Sequence, residues 1–230
     1  MDPGFVAPYA AALDATMTSP ERMYALWQAT RHVAGAHVPG ALVECGVWRG
    51  GSAMLMAHAL LAAGHADREL WLYDTFAGMP EPAAADVDFM GVAGSERLAA
   101  AAGDRDDLVA AHASLSEVRA NVTGVGYPTE RVVYVEGDVE DTIPARAPSE
   151  IALLRLDTDW ESSTRHELEQ LWPRVPVGGV LIIDDYGHWS GARRAVDGYF
   201  ADRDDAPLLA RVDYTGRIGV RAVYREAPRA

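Results

Sequence analysis

Two apolar runs in this chain end in carboxylates. Residues 151–156 (Ile-Ala-Leu-Leu-Arg-Leu) stop at Asp157, Thr158 and Asp159, and residues 178–183 stop at Asp184 and Asp185. Asp157 and Asp184 stand 27 positions apart (184 − 157), the length of one strand–helix–strand unit. The two strands are therefore expected to be neighbours, about 4.8 Å apart, with Asp157, Asp184 and Asp185 crowded onto one sheet edge. Carboxylates this close repel unless they are protonated or bridged by a cation, and a divalent ion reverses the local electrostatics. An all-oxygen set suits Mg²⁺, with Mn²⁺ or Ca²⁺ as further options, and does not suit Zn²⁺. The plain alternative is that these acids cap the helices that follow. Their recurrence at two strand ends favours the metal.

A second constellation lies nearer the N-terminus. In "VECGVWRGGS" Glu44, Gly46, Gly50, Gly51 and Ser52 sit between an apolar run and a helical one. Glycines there let a ligand approach the backbone, and a helix start offers free N–H groups. The wide Gly46–Gly50 spacing is not the dinucleotide fingerprint. Asp74 ends the next apolar run 28 positions beyond Gly46 (74 − 46), where an acid commonly holds ribose hydroxyls. Asp138 closes a third run, "RVVYVEGD". Four acid-ended strands fit a nucleoside without phosphates better than a dinucleotide.

The elements that must position these residues follow from periodicity and caps. Residues 18–34 read as a helix, with Ser19 as cap and Pro20 at its first position. Residues 41–47, 69–75, 131–138, 151–157 and 178–184 read as strands. Helices are expected over 52–64 (ending at Gly64), 162–175 and 192–203, and residues 208–224 read as two strands joined by a Thr-Gly-Arg turn. Five strands alternating with helices, plus the hairpin, predict an α/β fold. Its sheet is doubly wound, seven-stranded and mostly parallel, with one antiparallel strand and its ligand site at the strands' carboxyl ends. One domain is expected over 1–230, with a helical N-terminal lid over 1–35. The segment 76–127 is too long for a simple crossover and is expected to form a lid or substrate wall.

Composition narrows the function. The chain has 230 residues, 49% of them hydrophobic, and a net charge of −14, with no basic stripe for nucleic acid. No apolar run reaches the roughly 18–20 residues of a membrane helix, and the N-terminus lacks the basic start of a signal peptide. The single cysteine, Cys45, excludes an internal disulfide and points to a cytoplasmic protein. All 20 basic residues are arginine. The absence of lysine removes a phosphate-loop lysine, a Schiff base and a lysine general base.

The segments "ECGVWRGGS", "DTFAGMPEP", "GDVEDT", "LLRLDTDWESS" and "GGVLIIDDYGHWSGARRAVDGYF" together resemble the macrocin O-methyltransferase family over about residues 17–200. That resemblance implies a class I methyltransferase fold, S-adenosyl-L-methionine as cofactor, a divalent metal, and methylation of a natural-product hydroxyl, often on a sugar. Carried onto this chain, it places Glu44, Gly46, Val47, Gly50, Ser52, Asp74, Thr75 and Asp157 at the cofactor, with Asp138 and Val139 near its adenine. Asp157, Asp184 and Asp185 match the metal ligands, and Asp159 the proposed base. Family analogy also suggests a dimer or larger homo-oligomer. Trp160 stands directly before Glu161, one residue fewer than the family's pattern, so a shifted helix start and a changed aim for Asp159 are expected. Residues 83–126 resemble the family least and are expected to hold the acceptor.

An aliphatic hydroxyl is a poor nucleophile, and a metal lowers its pKa. With no lysine present, Asp159 is the first choice to take the proton and His188 the second. Trp48 and Arg49 either meet the cofactor's methionine end or pack and face solvent. Trp160 and Trp189 form either an acceptor wall or core. Met17 and Thr18 fall in the N-terminal lid, Tyr9 either joins that lid or lies in a loose tail, and residues 103–112 read as an exposed helix start. Two other functions remain open: a metal-independent or nitrogen-directed methyltransferase of the same fold, and a nucleoside or nucleotide-sugar binding protein.

Overall fold

A computed structural model describes residues 2–101, 107 and 111–222. In chain order the elements are helix α1 (Pro3–Ala12), α2 (Pro20–Gly35), strand β1 (Ala41–Cys45), α3 (Gly51–Ala63), β2 (Leu70–Asp74), α4 (Gly94–Ala100), α5 (Leu115–Gly124), β3 (Val132–Glu136), α6 (Val139–Thr142), β4 (Ile151–Leu156), α7 (Glu161–Leu171), β5 (Val180–Ile183), α8 (Ser190–Phe200), β6 (Ala210–Arg211) and β7 (Arg217–Val220). They form a seven-stranded sheet in the order β3-β2-β1-β4-β5-β7-β6. Only β7 runs against the others, pairing antiparallel with β5 and β6. The strand order reverses between β1 and β4, so a crevice opens at their carboxyl ends.

Side chains alternate across each strand, and the sheet separates two cores. Leu42, Leu72, Leu153 and Ile182 meet Met23 and Leu26 of α2, Leu55 of α3 and Val118 of α5. Val43, Cys45, Tyr73, Leu154, Leu156 and Ile183 meet Val139 of α6, Leu168 and Leu171 of α7, and Val196 of α8. A third, small cluster of Trp160, Trp189 and Ala192 fastens Met79 and Leu98 to the rim. Trp160 is core, and its indole N–H donates to the Pro80 carbonyl at 3.0 Å.

Local rules explain most boundaries. The Ser19 hydroxyl accepts the Arg22 N–H at 3.2 Å, and Pro20 opens α2. Gly64 ends α3 in the left-handed conformation. The expected N-terminal helix is joined by a second one, α1. Its Phe5 is buried and stacks on Tyr9 at 5.1 Å. The segment 76–127 contains α4 and ends in α5, which packs on α3 as the β2–β3 crossover. The C-terminal turn spans 212–216 rather than three residues, because the Asp213 carboxylate accepts the N–H groups of Thr215 (2.9 Å) and Gly216 (2.7 Å). The helix start expected over 103–112 falls almost wholly outside the described residues, as does the end of the hairpin. No helix among the described residues is long and apolar enough to cross a membrane.

Candidate active site

The strand ends converge on one cavity. Its wall includes Gly46, Val47 and Trp48 after β1, Asp74 and Thr75 after β2, Asp138 and Val139 after β3, Asp157 to Asp159 after β4, and Asp184, Asp185, His188 and Trp189 after β5. Met17, Thr18 and Arg22 close it from the N-terminal segment, and Gly78, Met79, Pro80 and His112 from the segment after β2. Glu44, Gly50 and Ser52, expected at a cofactor, are not part of this wall. Glu44 is buried behind it, held by Arg155 at 2.9 Å.

The glycines of the first turn have a reason in the protein itself. Gly46 has φ 83°, and a Cβ there would stand 1.9 Å from the Asp157 carbonyl oxygen. A Cβ on Gly51 would stand 2.5 Å from the Ala15 carbonyl oxygen. Both glycines let neighbouring backbone pass. Asp74 draws the turn inward: one of its oxygens accepts the N–H groups of Val47 (2.7 Å) and Trp48 (3.1 Å), the other that of Phe76 (2.7 Å). Asp138 caps α6, accepting the Glu140 N–H at 2.9 Å.

The acids after β4 and β5 are placed differently. Asp157, Asp184 and Asp185 each offer an oxygen within 4.8 Å of the others. They do not cap the following helices: the first N–H of α7, from Glu161, is taken at 3.0 Å by buried Asp86 from the distant segment. Arg155 is the partner that sequence reasoning missed. It lies opposite Glu44 in the β1–β4 register and is 2% exposed. Besides Glu44 it donates to Asp157 at 2.6 Å, Asp184 at 2.7 Å and Thr18 at 3.2 Å. Arg22 donates to the other oxygen of Asp184 and pairs with Asp213 at 3.0 Å. The signal for Arg155 was present, since a lone charge inside an apolar strand must find buried partners. The signal for Arg22 was not, since α2 meets β5 only in the fold.

Two guanidiniums therefore do part of what a metal was expected to do. Glu44, Asp157 and Asp184 share Arg155, Asp184 and Asp213 share Arg22, and Asp159 and Asp185 pair with neither; the shortfall is visible in proton affinity. Burial, above all, raises Glu44 to about 8. Burial raises Asp157 to about 6 against the pull of Arg155. Burial and the Asp157 charge raise Asp159 to about 7. Burial and the Asp159 charge push Asp185 well above the usual carboxylate range.

The turn carrying these acids is held from behind. Asp159 sits at φ 65°, a left-handed conformation that is costly for a non-glycine residue, and its N–H donates to Asp185 at 3.3 Å. Thr158 donates to the carboxyl of Glu167, lying 3.1 Å from each oxygen. Glu167 is fully buried on α7, and that burial pushes its pKa up. His188, expected as the second choice of base, is half-buried. Its Nδ1 lies 2.9 Å from the Tyr214 hydroxyl, and burial lowers its pKa.

The family model described as "Macrocin-O-methyltransferase (TylF)" matches residues 7–220. Demethyldecarbamoylnovobiocin O-methyltransferase of Streptomyces niveus is 38% identical over 201 residues, 87% of this chain and 73% of that protein. A Streptomyces olivaceus enzyme, 8-demethyl-8-(2,3-dimethoxy-alpha-L-rhamnosyl)-tetracenomycin-C 4'-O-methyltransferase, is 36% identical with the same coverage. Among solved structures, the O-methyltransferase NovP superposes with a TM-score of 0.77 at 37% identity, covering 91% of this chain and 83% of its own.

Proposed function

Because the chain belongs to the macrocin O-methyltransferase family and is an S-adenosylmethionine-dependent O-methyltransferase, we propose that it methylates a sugar hydroxyl of a glycosylated natural product, aided by a divalent cation held by Asp157, Asp184 and Asp185. One observation carries this reading: three carboxylates with oxygens within 4.8 Å of one another face the cavity that the β1–α3 turn also lines. The donor set is all oxygen and fits Mg²⁺, Mn²⁺ or Ca²⁺. Its remaining negative charge, beyond what Arg22 and Arg155 neutralise, favours an added cation. Relatives named for sugar-bearing acceptors support the acceptor class.

When bound, S-adenosylmethionine supplies an electrophilic methyl group, and a divalent cation supplies positive charge that makes a nearby hydroxyl more acidic. The chain's own residues do the rest. The Gly46–Trp48 backbone, braced by Asp74, and the rim at Asp138 and Val139 bind and orient the cofactor. Asp157, Asp184 and Asp185 hold the cation. Asp159 accepts the hydroxyl proton on its carboxylate. Trp189 and Met79 exclude water. His188 is the second choice as base.

Chelator-treated protein, S-adenosylmethionine and a panel of glycosides test this together, with methyl transfer read by mass spectrometry. Transfer to a sugar hydroxyl that stops on chelation and returns with Mg²⁺ is expected. Undiminished transfer after chelation would move the reading to a metal-independent enzyme, and transfer to amines alone to a nitrogen-directed one. A nucleotide-sugar that binds while S-adenosylmethionine does not would support a binding protein instead.

A further inference from the structure

Beside the cavity mouth two large apolar side chains stand in solvent on a turn that is not loose. Phe89 is 62% exposed and Met90 71%. The turn is built around Asp88, which is 3% exposed. One of its oxygens accepts the N–H groups of Met90 (2.8 Å) and Val92 (2.9 Å), and the other accepts Arg97 at 2.8 and 2.5 Å. Asp88 also bridges to Trp189, and the Val87 carbonyl accepts the Ser190 N–H at 2.9 Å. The 87–92 turn is thereby fastened to the start of α8, and its apolar residues are held outward.

We propose that Phe89 and Met90, with Tyr214 and His188, form a ledge that binds the ring-bearing, apolar part of the acceptor, away from the reacting hydroxyl. Continuity with the cavity identifies the occupant. His188 and Tyr214 line the cavity, and the Phe89 ring lies 5.2 Å from His188 and 5.9 Å from Tyr214. One aromatic surface therefore runs from the cavity out to a solvent-facing edge. A sugar alone would leave Phe89 and Met90 wet. A sugar joined to a flat apolar aglycone would cover them, and exposed apolar surface rimmed by polar groups marks such contacts. The ledge deepens the proposed function and rests on it for the acceptor's sugar.

The test uses two glycosides of one sugar, methyl α-L-rhamnopyranoside and para-nitrophenyl α-L-rhamnopyranoside. Their binding to protein loaded with S-adenosylhomocysteine is followed by ligand-observed NMR, and methyl transfer to each is measured separately. The aryl glycoside is expected to bind about tenfold more tightly than the methyl glycoside. Phe89→Ala should bring the ratio toward one, and Phe89→Trp should preserve it. Equal affinities, no binding of the aryl probe, or a preference that survives Phe89→Ala overturns the ledge. So does a change of sedimentation from oligomer to monomer in Phe89→Ala, which would assign the patch to a second copy. Aryl preference without methyl transfer would leave the ledge standing and count against the sugar hydroxyl. Transfer with no aryl preference would do the reverse.

Discussion

The two halves of the sheet rim carry the same residue type at the same kind of position and use it in opposite ways. After β2 and β3, Asp74 and Asp138 are satisfied by backbone N–H groups and fix turns. After β4 and β5, Asp157, Asp184 and Asp185 face one another; Asp157 meets Arg155, Asp184 meets Arg155 and Arg22, Asp185 takes the long Asp159 N–H bond, and no helix start takes them up. Donors from the backbone turn an acid into a fastening. Withholding them leaves charge that must be met by a side chain, a proton or an ion. The helix that could have used an acid from β4, α7, is capped by Asp86 instead.

The largest effect on this contrast should come from Arg155→Leu, which leaves Glu44, Asp184 and Asp157 without their shared buried cation. A loss of about 3–5 kcal/mol is expected in urea unfolding. Added Mg²⁺ should restore part of it if the carboxylates take the ion in place of the guanidinium. An unchanged midpoint would mean that the rim acids are held neutral and the arginine is dispensable.

Asp184→Asn comes next. Calorimetry should show Mg²⁺ affinity falling by more than the roughly 10–100-fold typical of outer-shell changes, with turnover falling alongside and the fold retained. Asp74→Asn is the contrasting variant. It should cost about 1–3 kcal/mol by weakening hydrogen bonds to the first turn, and lower cofactor affinity while leaving Mg²⁺ affinity in place. Equal loss of metal binding in both variants would erase the distinction between the halves.

The pH dependence sharpens the same contrast. Asp157 at about 6, Asp159 at about 7 and Glu44 at about 8 all lie above their unfolded values. Between about pH 4 and 7 the folded state therefore binds more protons than the unfolded one. The thermal midpoint of metal-free protein should fall as pH rises through that window. Saturating Mg²⁺ should flatten the fall, because it stabilises the ionised forms. A midpoint that rises over this range would contradict the raised values. The smallest effect is expected from Asp138→Ala, about 1 kcal/mol for a lost cap on α6, with no change in metal affinity.

Much of this was legible in the chain. The alternation of apolar runs and helical segments gave the strand order its parallel core, and Ser19, Pro20 and Gly64 marked helix ends by local chemistry alone. The clustering of Asp157, Asp184 and Asp185 followed from a 27-residue crossover and the spacing of neighbouring strands. Asp159 lines the cavity, as does Trp189, which the sequence left open between acceptor wall and core, while Glu44 does not and instead pairs with its register partner Arg155.

Residue type and short-range periodicity thus determined the elements, their order and the acids at the rim. Tertiary structure alone decided what each acid meets: backbone amides for Asp74, a helix cap supplied by Asp86 from 75 positions away, Arg22 swung in from α2, and Glu167 behind Thr158. The physical reason is range. Caps, turns and alternation act within a few residues and can be read along the chain. The charge balance of a buried cluster depends on partners brought from distant segments, and only folding brings them together.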